Sequence, residues 1–248
     1  MKAGKPFKSP LAGTLLSLSA PQVAEIISDS GFDWVLIDME HSAISMESVQ
    51  NVLQIMGDKI LKIVRVPGND EIWIKRVLDT GCDGILVPMV NSAAEALKVI
   101  EYSKYPLAGK RSVGLSRAHS FGPGFSDYVE NANNDLLIMI QIEHIEGVKN
   151  IDEILKVKGI DSIFIGPYDL SASMGLTGQL GHPDVKAAIK LIKDKCRQAG
   201  LPYGIFGMTA ESLIPEVNDG GTFLLCGVDA AILVNSYKEL LKILKTGI

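Results

Sequence analysis

Apolar positions gather into eight short runs along this chain: GTLLSL, WVLIDME, LKIVRVP, GILVPMV, LLIMIQIE, DSIFIGP, PYGIFG and TFLLCG. Most are apolar at nearly every position rather than at alternate ones, as strands are when helices cover both faces of a parallel sheet. Between the runs the spacing changes to the helical one, in segments such as PQVAEIISDSG, SMESVQNVLQIMG, NDEIWIKRVLDTG and SAAEALKVIEYSK. Several of these end in Gly, which suits the left-handed residue that closes many helices. Repeated strand–helix units predict an α/β fold, and a closed (β/α)8 TIM barrel is its economical form. Right-handed crossovers leave few alternatives, and closure removes both sheet edges. An open doubly wound sheet is the competing architecture. Its nucleotide-binding versions have no support, since no G-x-G-x-x-G follows the first strand and no G-x-x-x-x-G-K-[ST] occurs.

One stretch departs from the pattern. From Tyr102 to Asn134 the chain is richer in Gly, Pro, Ser and Arg and longer than an ordinary connection. Such excursions are usually functional or contact another subunit, and this one is expected to form a loop beside the active-site mouth, followed by a short helix. The 248 residues, 47% of them hydrophobic, are expected to make a single barrel domain over 1–248.

Charge and cysteine content narrow the partners. A formal net charge of −5, with Lys and Arg scattered, offers no basic stripe for nucleic acid. The opening MKAGKPFKSPLAG is basic but reaches no apolar core of signal-peptide length before Pro10. Nothing later approaches the roughly 18 uninterrupted apolar residues of a membrane span. A cytoplasmic protein without membrane partner is expected. Cys82, Cys196 and Cys226 are far apart in apolar surroundings, which fits reduced thiols better than disulfides or a metal cluster.

The candidate chemistry lies where apolar runs end. LLIMIQIE ends on Glu143, DSIFIGPYD on Asp169, VLIDMEH on His41 and LKIVRVP delivers Arg65. In a parallel barrel these strand ends form the reactive face. Oxygen-only ligands at Glu143 and Asp169 suit a hard divalent cation with coordination positions left for substrate. Either acid alone would more simply cap the helix that follows. The two together, with Gln141 on the same inward face as Glu143, favour a site. His41 closes the polar cluster DMEH and suits a general base near neutral pH, against the simpler role of a hydrogen-bonded structural imidazole. Arg65 presents a fork of donors to a carboxylate or a developing enolate oxygen, the alternative being a salt bridge to an acid such as Asp70. In GPYDLSASMG a tight turn opens a short helix near Tyr168, whose free amides could meet an anion.

These motifs together, VLIDMEH, KIVRVPGND, GILVPMV, KYPLAGKRSVG, IMIQIE and SIFIGPYDLSASMG, resemble the metal-dependent (class II) pyruvate aldolases of the HpcH/HpaI type. That family is typified by 4-hydroxy-2-oxoheptanedioate aldolase and 2-dehydro-3-deoxyglucarate aldolase. The resemblance covers nearly the whole chain, and Q-x-E followed at this separation by GPYDLSASMG is its most specific part. It implies a (β/α)8 barrel that exchanges its C-terminal helix with a neighbour and assembles as a homohexamer, a trimer of dimers. It implies reversible cleavage of a 4-hydroxy-2-oxoacid to pyruvate and an aldehyde, through a pyruvate enolate held by Mg²⁺, Mn²⁺ or Co²⁺, in aromatic or sugar-acid catabolism. Metal ligands then fall on Glu143 and Asp169, and substrate contacts on Gln141, Asp169 and the backbone of Tyr168. His41 matches the base, Arg65 the transition-state stabiliser, and Asp79 the acid that raises the basicity of the histidine. The helix after the third strand should carry Asp79 away from His41. A shorter helix, a second subunit, or Asp38 in its place would each reconcile the two.

Three rivals remain. A Schiff-base aldolase needs a Lys at a strand end, but Lys62 begins a strand and Lys75 lies in a helix. Oxaloacetate decarboxylation would use the same site. A non-catalytic scaffold would have no reason to keep every polar position filled.

Overall fold

The structure, a computed structural model, describes residues 10–246. Most of the basic opening segment read above for a leader lies outside the described residues. Strands β1 (Leu11–Leu16), β2 (Trp34–Asp38), β3 (Leu61–Arg65), β4 (Gly84–Val87), β5 (Leu137–Ile142), β6 (Ser162–Ile165), β7 (Tyr203–Gly207) and β8 (Phe223–Val228) close into a parallel barrel in chain order. Each answers to one of the apolar runs.

Helices occupy the crossovers. The first four, α1 (Pro21–Asp29), α2 (Met46–Met56), α3 (Glu71–Asp79) and α4 (Ala93–Ser103), follow the first four strands. Next come α5 (Phe125–Asp135), α6 (Ile145–Lys149), α7 (Ile151–Ile154), α8 (Pro167–Ser173), α9 (Pro183–Ala199), α10 (Ala210–Asn218) and α11 (Asp229–Thr246). Their starts are chemically marked: Ser45 accepts from Ser48 N–H, Asp70 from Ile72 and Trp73 N–H, and Ser92 from Glu95 N–H. The C-cap glycines at Gly57 and Gly200 have positive φ, 53° and 66°.

Two apolar layers follow from strand alternation. One set, including Leu15, Trp34, Leu36, Ile63, Met139, Phe164, Phe223 and Leu225, fills the barrel interior. The other packs outward under the helices. Trp34 plugs the interior edge-to-face against Phe223 and Phe164, at 5.6 and 6.2 Å, and its Nε1 donates to Leu11 O at 3.1 Å. Gly13 leaves room for that ring, and a methyl group added there would overlap the indole. Gly13→Ala is therefore expected to cost about 1–3 kcal/mol or more through overpacking. A urea midpoint equal to the parent's would show that the indole has another place to go.

The excursion does not lie where the sequence suggested. It joins the end of α4 to the start of β5, and α4 runs antiparallel to the strands, so the segment emerges at the N-terminal end of the barrel, opposite the reactive face. Lys110 N–H bonds Glu101 O and Arg111 N–H bonds Lys104 O, folding the loop onto the last turn of α4. Arg117 Nη1 then reaches Thr80 O at 2.7 Å, beyond the end of α3. The expectation of a loop at this protomer's own active-site mouth fails because connections alternate ends: only those after a strand reach the top. Cys82 and Cys196 are buried and Cys226 partly so, and all three are free thiols.

Candidate active site

Period-two alternation brings the polar residues together. In β2, Trp34 and Leu36 point into the barrel, so Asp38 does too; in β3 the same file is Leu61, Ile63 and Arg65. Asp38 and Arg65 are direct partners in the β2–β3 register. Their side chains meet in a two-pronged pair, Nε to Oδ1 at 2.9 Å and Nη2 to Oδ2 at 2.7 Å. Burial pushes the Asp38 carboxyl up, but the Arg65 guanidinium overcomes it and leaves the group below the ordinary Asp value. Burial likewise opposes charge on Arg65, and its hydrogen bonds to Asp38 more than offset that. Asp38, not Asp70, is thus the arginine's acid, while Asp70 caps α3. No protein hydrogen bond occupies Arg65 Nη1 among the described residues.

Asp38 touches His41 only through the backbone, Oδ1 accepting from the N–H groups of Glu40 at 3.0 Å and His41 at 3.3 Å. That bond shapes the turn but does not touch the imidazole, whose side chain is 61% exposed at the cleft, with Nε2 3.7 Å from Glu40 Oε2. The same Glu40 Oε2 lies 3.3 Å from Arg65 Nε yet is buried without a hydrogen-bond partner.

On the far side, β5 carries Gln141 inward, and Glu143 follows just beyond its end. Glu143 Oε1 accepts from Met89 N–H at 2.8 Å, and Oε2 accepts from Gln141 Nε2. Met89 holds the left-handed φ of 55°, rare for a residue with a side chain; the strained turn aims its amide at the carboxylate. After β6, Gly166 passes so close that an added Cβ would stand 2.7 Å from Glu143 Oε2 and 2.8 Å from Gln141 Nε2. Only glycine fits at this start of the turn that leads on to Asp169. Burial first, and then the neighbouring acids Glu40 and Asp169, push Glu143 up to about 7 despite its amide donors. Glu40 is also raised to about 7, by burial foremost and by Asp38 and Asp169, against the pull of Arg65.

Glu40 and Glu143, each raised by burial and by neighbouring carboxylates, share a deficit of positive charge that a bound cation would relieve. Among the described residues no three His, Cys, Asp or Glu side chains meet at ligating distance of one point. The donor set that fits a hard cation is Glu143 with Asp169, leaving positions open for substrate. Gln141 Oε1, buried and without a partner, is a further oxygen beside it.

The cleft over these groups has a volume of about 390 Å³. Asp38, His41, Arg65, Gln141, Gly166, Tyr168 and Asp169 all line it, and Glu143 sits beneath Gln141 and Gly166. The first amides of α8, which begins at Pro167, precede the first intrahelical bond, from Leu170 N–H to Gly166 O. Those of Tyr168 and Asp169 are therefore uncommitted.

Asp79 is not brought to this cleft. It ends α3 at the opposite end of the barrel, where Asp83 N–H bonds Lys62 O at the start of β3. There Asp79 Oδ1 accepts from Arg111 Nη2 at 2.7 Å, and the guanidinium of Arg111 lies over the rings of Tyr105 and Tyr128 at 4.6 and 5.7 Å. The helix has its full length, so the sequence-level objection to Asp79 holds within this protomer.

Two contributors escaped the candidate set. Glu40 was visible as a polar residue in DMEH, and the break from an apolar run was its signal. Met89 acts through its backbone and leaves no trace in residue type.

The family model for HpcH/HpaI aldolase/citrate lyase matches residues 12–236. A 4-hydroxy-2-oxo-heptane-1,7-dioate aldolase from Shigella flexneri is 39% identical over 243 residues, covering 97% of this chain and 89% of that one. A hydroxypyruvate/pyruvate aldolase from Pseudomonas aeruginosa is 38% identical, covering 92% and 86%. The crystal structure of an HpcH/HpaI aldolase/citrate lyase family protein from Burkholderia cenocepacia J2315 superposes with a TM-score of 0.92 at 29% identity, over 96% of this chain and 95% of that one.

Proposed function

The chain belongs to the HpcH/HpaI aldolase/citrate lyase family, and from that membership we propose an aldolase that reversibly cleaves a 4-hydroxy-2-oxoacid to pyruvate and an aldehyde with the help of a divalent cation. The observation that carries it is that His41, Arg65, Gln141 and Asp169 line one cleft, with the Glu143 carboxylate against Gln141 and Gly166 and near enough to Asp169 to be raised by its charge. Glu143 and Asp169 would hold Mg²⁺, Mn²⁺ or Co²⁺, whose charge would draw electrons from the substrate's 2-oxo group. Gln141 and the amides of Tyr168 and Asp169 orient the oxoacid's carboxylate end. In cleavage, His41 removes the proton of the C4 hydroxyl. The oxygen's electron pair becomes the carbonyl of the leaving aldehyde, and the C3–C4 pair passes to an enolate. Arg65, locked by Asp38, stabilises that charge with its free Nη1. A proton delivered to C3 then completes pyruvate. A lysine imine has no support, since no Lys lines the cleft among the described residues.

The test is pyruvate release from racemic 4-hydroxy-2-oxoacids, first with EDTA and then with each metal. Activity abolished by chelator and restored by metal is expected; indifference to EDTA would sink the two-carboxylate site.

The acids also set a pH dependence in metal-free protein. Glu40 and Glu143 titrate near 7 when folded, against an ordinary 4.5. Between those values the folded state binds more protons than the unfolded one, so stability falls as pH rises from 4.5 and the loss is complete above about 7. The thermal midpoint of metal-free protein is expected to drop between pH 5 and pH 8. Adding Mn²⁺ at pH 6 should release protons into weak buffer. A flat profile with no release would remove the shared charge deficit.

Assembly fits the same family. In α11 only Asp229 is buried, while Ile232, Val234, Tyr237, Leu240, Leu241 and Leu244 are all at least half exposed. Such a helix supports exchange with a second copy and a homohexamer, which light scattering checks. No helix among the described residues is long and apolar enough to cross a membrane.

A further inference from the structure

The cleft is divided by strand. Its polar groups come from β2, β3, β5 and β6, and the remaining arc, β7–β8–β1, is contiguous in the closed barrel. That arc presents Phe206, Met208, Leu225, Val228 and Leu15. Its one hydroxyl there, Ser17 Oγ, already donates to Asp229 Oδ1 at 2.5 Å. Asp229 is buried and also accepts from the N–H groups of Ser17 and Leu18, so the nearest fixed charge behind the arc is negative.

Among the described residues no Lys or Arg lines this half. Among the described residues Arg65 is the sole Lys or Arg lining the cleft, and Asp38 holds it on the opposite side. Lys186, Lys190 and Lys193 line a neighbouring cleft of about 450 Å³, behind the Tyr168–Phe206 ring pair. Of these, Lys190 is paired with Asp194, and Lys193 with Glu216 and Asp219.

We propose that the half of the cleft formed by β7, β8 and β1 is the acceptor pocket and takes an uncharged, apolar aldehyde rather than one ending in a carboxylate. The inference rests on the aldolase reading. A second carboxylate on the leaving aldehyde would be stripped of water against Phe206, Met208 and Val228 with no donor to replace it. An alkyl tail gains from the same surface, about fourfold in affinity per buried methylene. The relatives named for a heptanedioate would then differ from this chain in the acceptor they accommodate.

The test compares 4-hydroxy-2-oxoheptanoate with 4-hydroxy-2-oxoheptane-1,7-dioate, which differ only in the terminal carboxylate, by metal-supported pyruvate release. The heptanoate is expected to show at least about tenfold higher kcat/KM, mostly through KM. Met208→Arg, at an exposed position, should shift the ratio of the two toward the dioate by about tenfold or more. In parallel, exchange of the pyruvate methyl protons with D2O, followed by NMR, reads enolate formation without any acceptor. No exchange overturns the underlying aldolase reading. Exchange with the dioate cleaved as well or better, with neither compound cleaved, or with a ratio that Met208→Arg fails to move, overturns the acceptor assignment alone.

Discussion

Arg65→Ala is expected to lower kcat for oxoacid cleavage by about a hundredfold to a thousandfold while changing KM little, as loss of a preorganised donor to a developing oxyanion does. The argument rests on how the guanidinium is held. Two of its nitrogens are fixed to Asp38 by adjacent strand register, which leaves Nη1 to the cleft at no cost in reorganisation during reaction. The same pairing means that truncation also strands Asp38, whose residue is only 2% exposed. An uncompensated buried acid costs about 3–5 kcal/mol, so the variant should also melt earlier. The double variant Asp38→Asn with Arg65→Ala separates the effects, because it removes the stranded charge without restoring a donor. Its thermal midpoint should recover most of the loss and its kcat should not. Recovery of both would make Arg65 a structural residue.

Glu143→Gln is expected to abolish metal-supported turnover by about a thousandfold or more, several kcal/mol of charge stabilisation being what a Lewis-acid cation supplies. The substitution keeps the shape of the side chain and an oxygen for the Met89 amide, so the β4–β5 corner should stay intact. Its effect on stability has the opposite sign. Glu143 is held up at about 7 by burial and by neighbouring acids, and above that pH its charge destabilises the metal-free fold. At pH 8 the metal-free variant should therefore melt no earlier than the parent, and above it if the relief is complete. A dead enzyme with a raised midpoint marks a ligand lost. A dead enzyme that melts several degrees early would mark a broken corner, and full activity would remove Glu143 from the chemistry.

The strands were legible because a parallel barrel covers them on both sides, which leaves runs such as LLIMIQIE apolar throughout. The groups that end them stand out against that background. Arg65, Gln141 and Glu143 could be named because alternation carries the inward file of a strand straight to the top of the barrel, and His41 because a polar cluster breaks out where β2 ends. Glu40 was half visible, in a polar cluster whose members the sequence could not rank. Its role depends on Asp38 and Asp169 raising it and on its raising Glu143 in turn, and such repulsion is a property of distances. Met89 was invisible, since it contributes an amide from a left-handed turn.

Asp79 and the excursion from Tyr102 to Asn134 mark the boundary most plainly. Family pattern put Asp79 with His41, and helix length put it at the other end of the barrel; within this protomer Arg111 holds it there. Composition suggested that the excursion was functional, but which end of the barrel it serves depends on whether it follows a strand or a helix. By itself, then, the sequence determined the barrel, its strand ends and the residue types at its reactive face, since hydrophobic periodicity and alternation are local properties of the chain. Only the tertiary structure decided that Asp38 locks Arg65 rather than orients the His41 ring, that Glu40 joins the acids, and that β7, β8 and β1 leave half the cleft without a cation among the described residues. Each of these depends on closing the sheet, which sets side chains from distant strands against one another at hydrogen-bonding range.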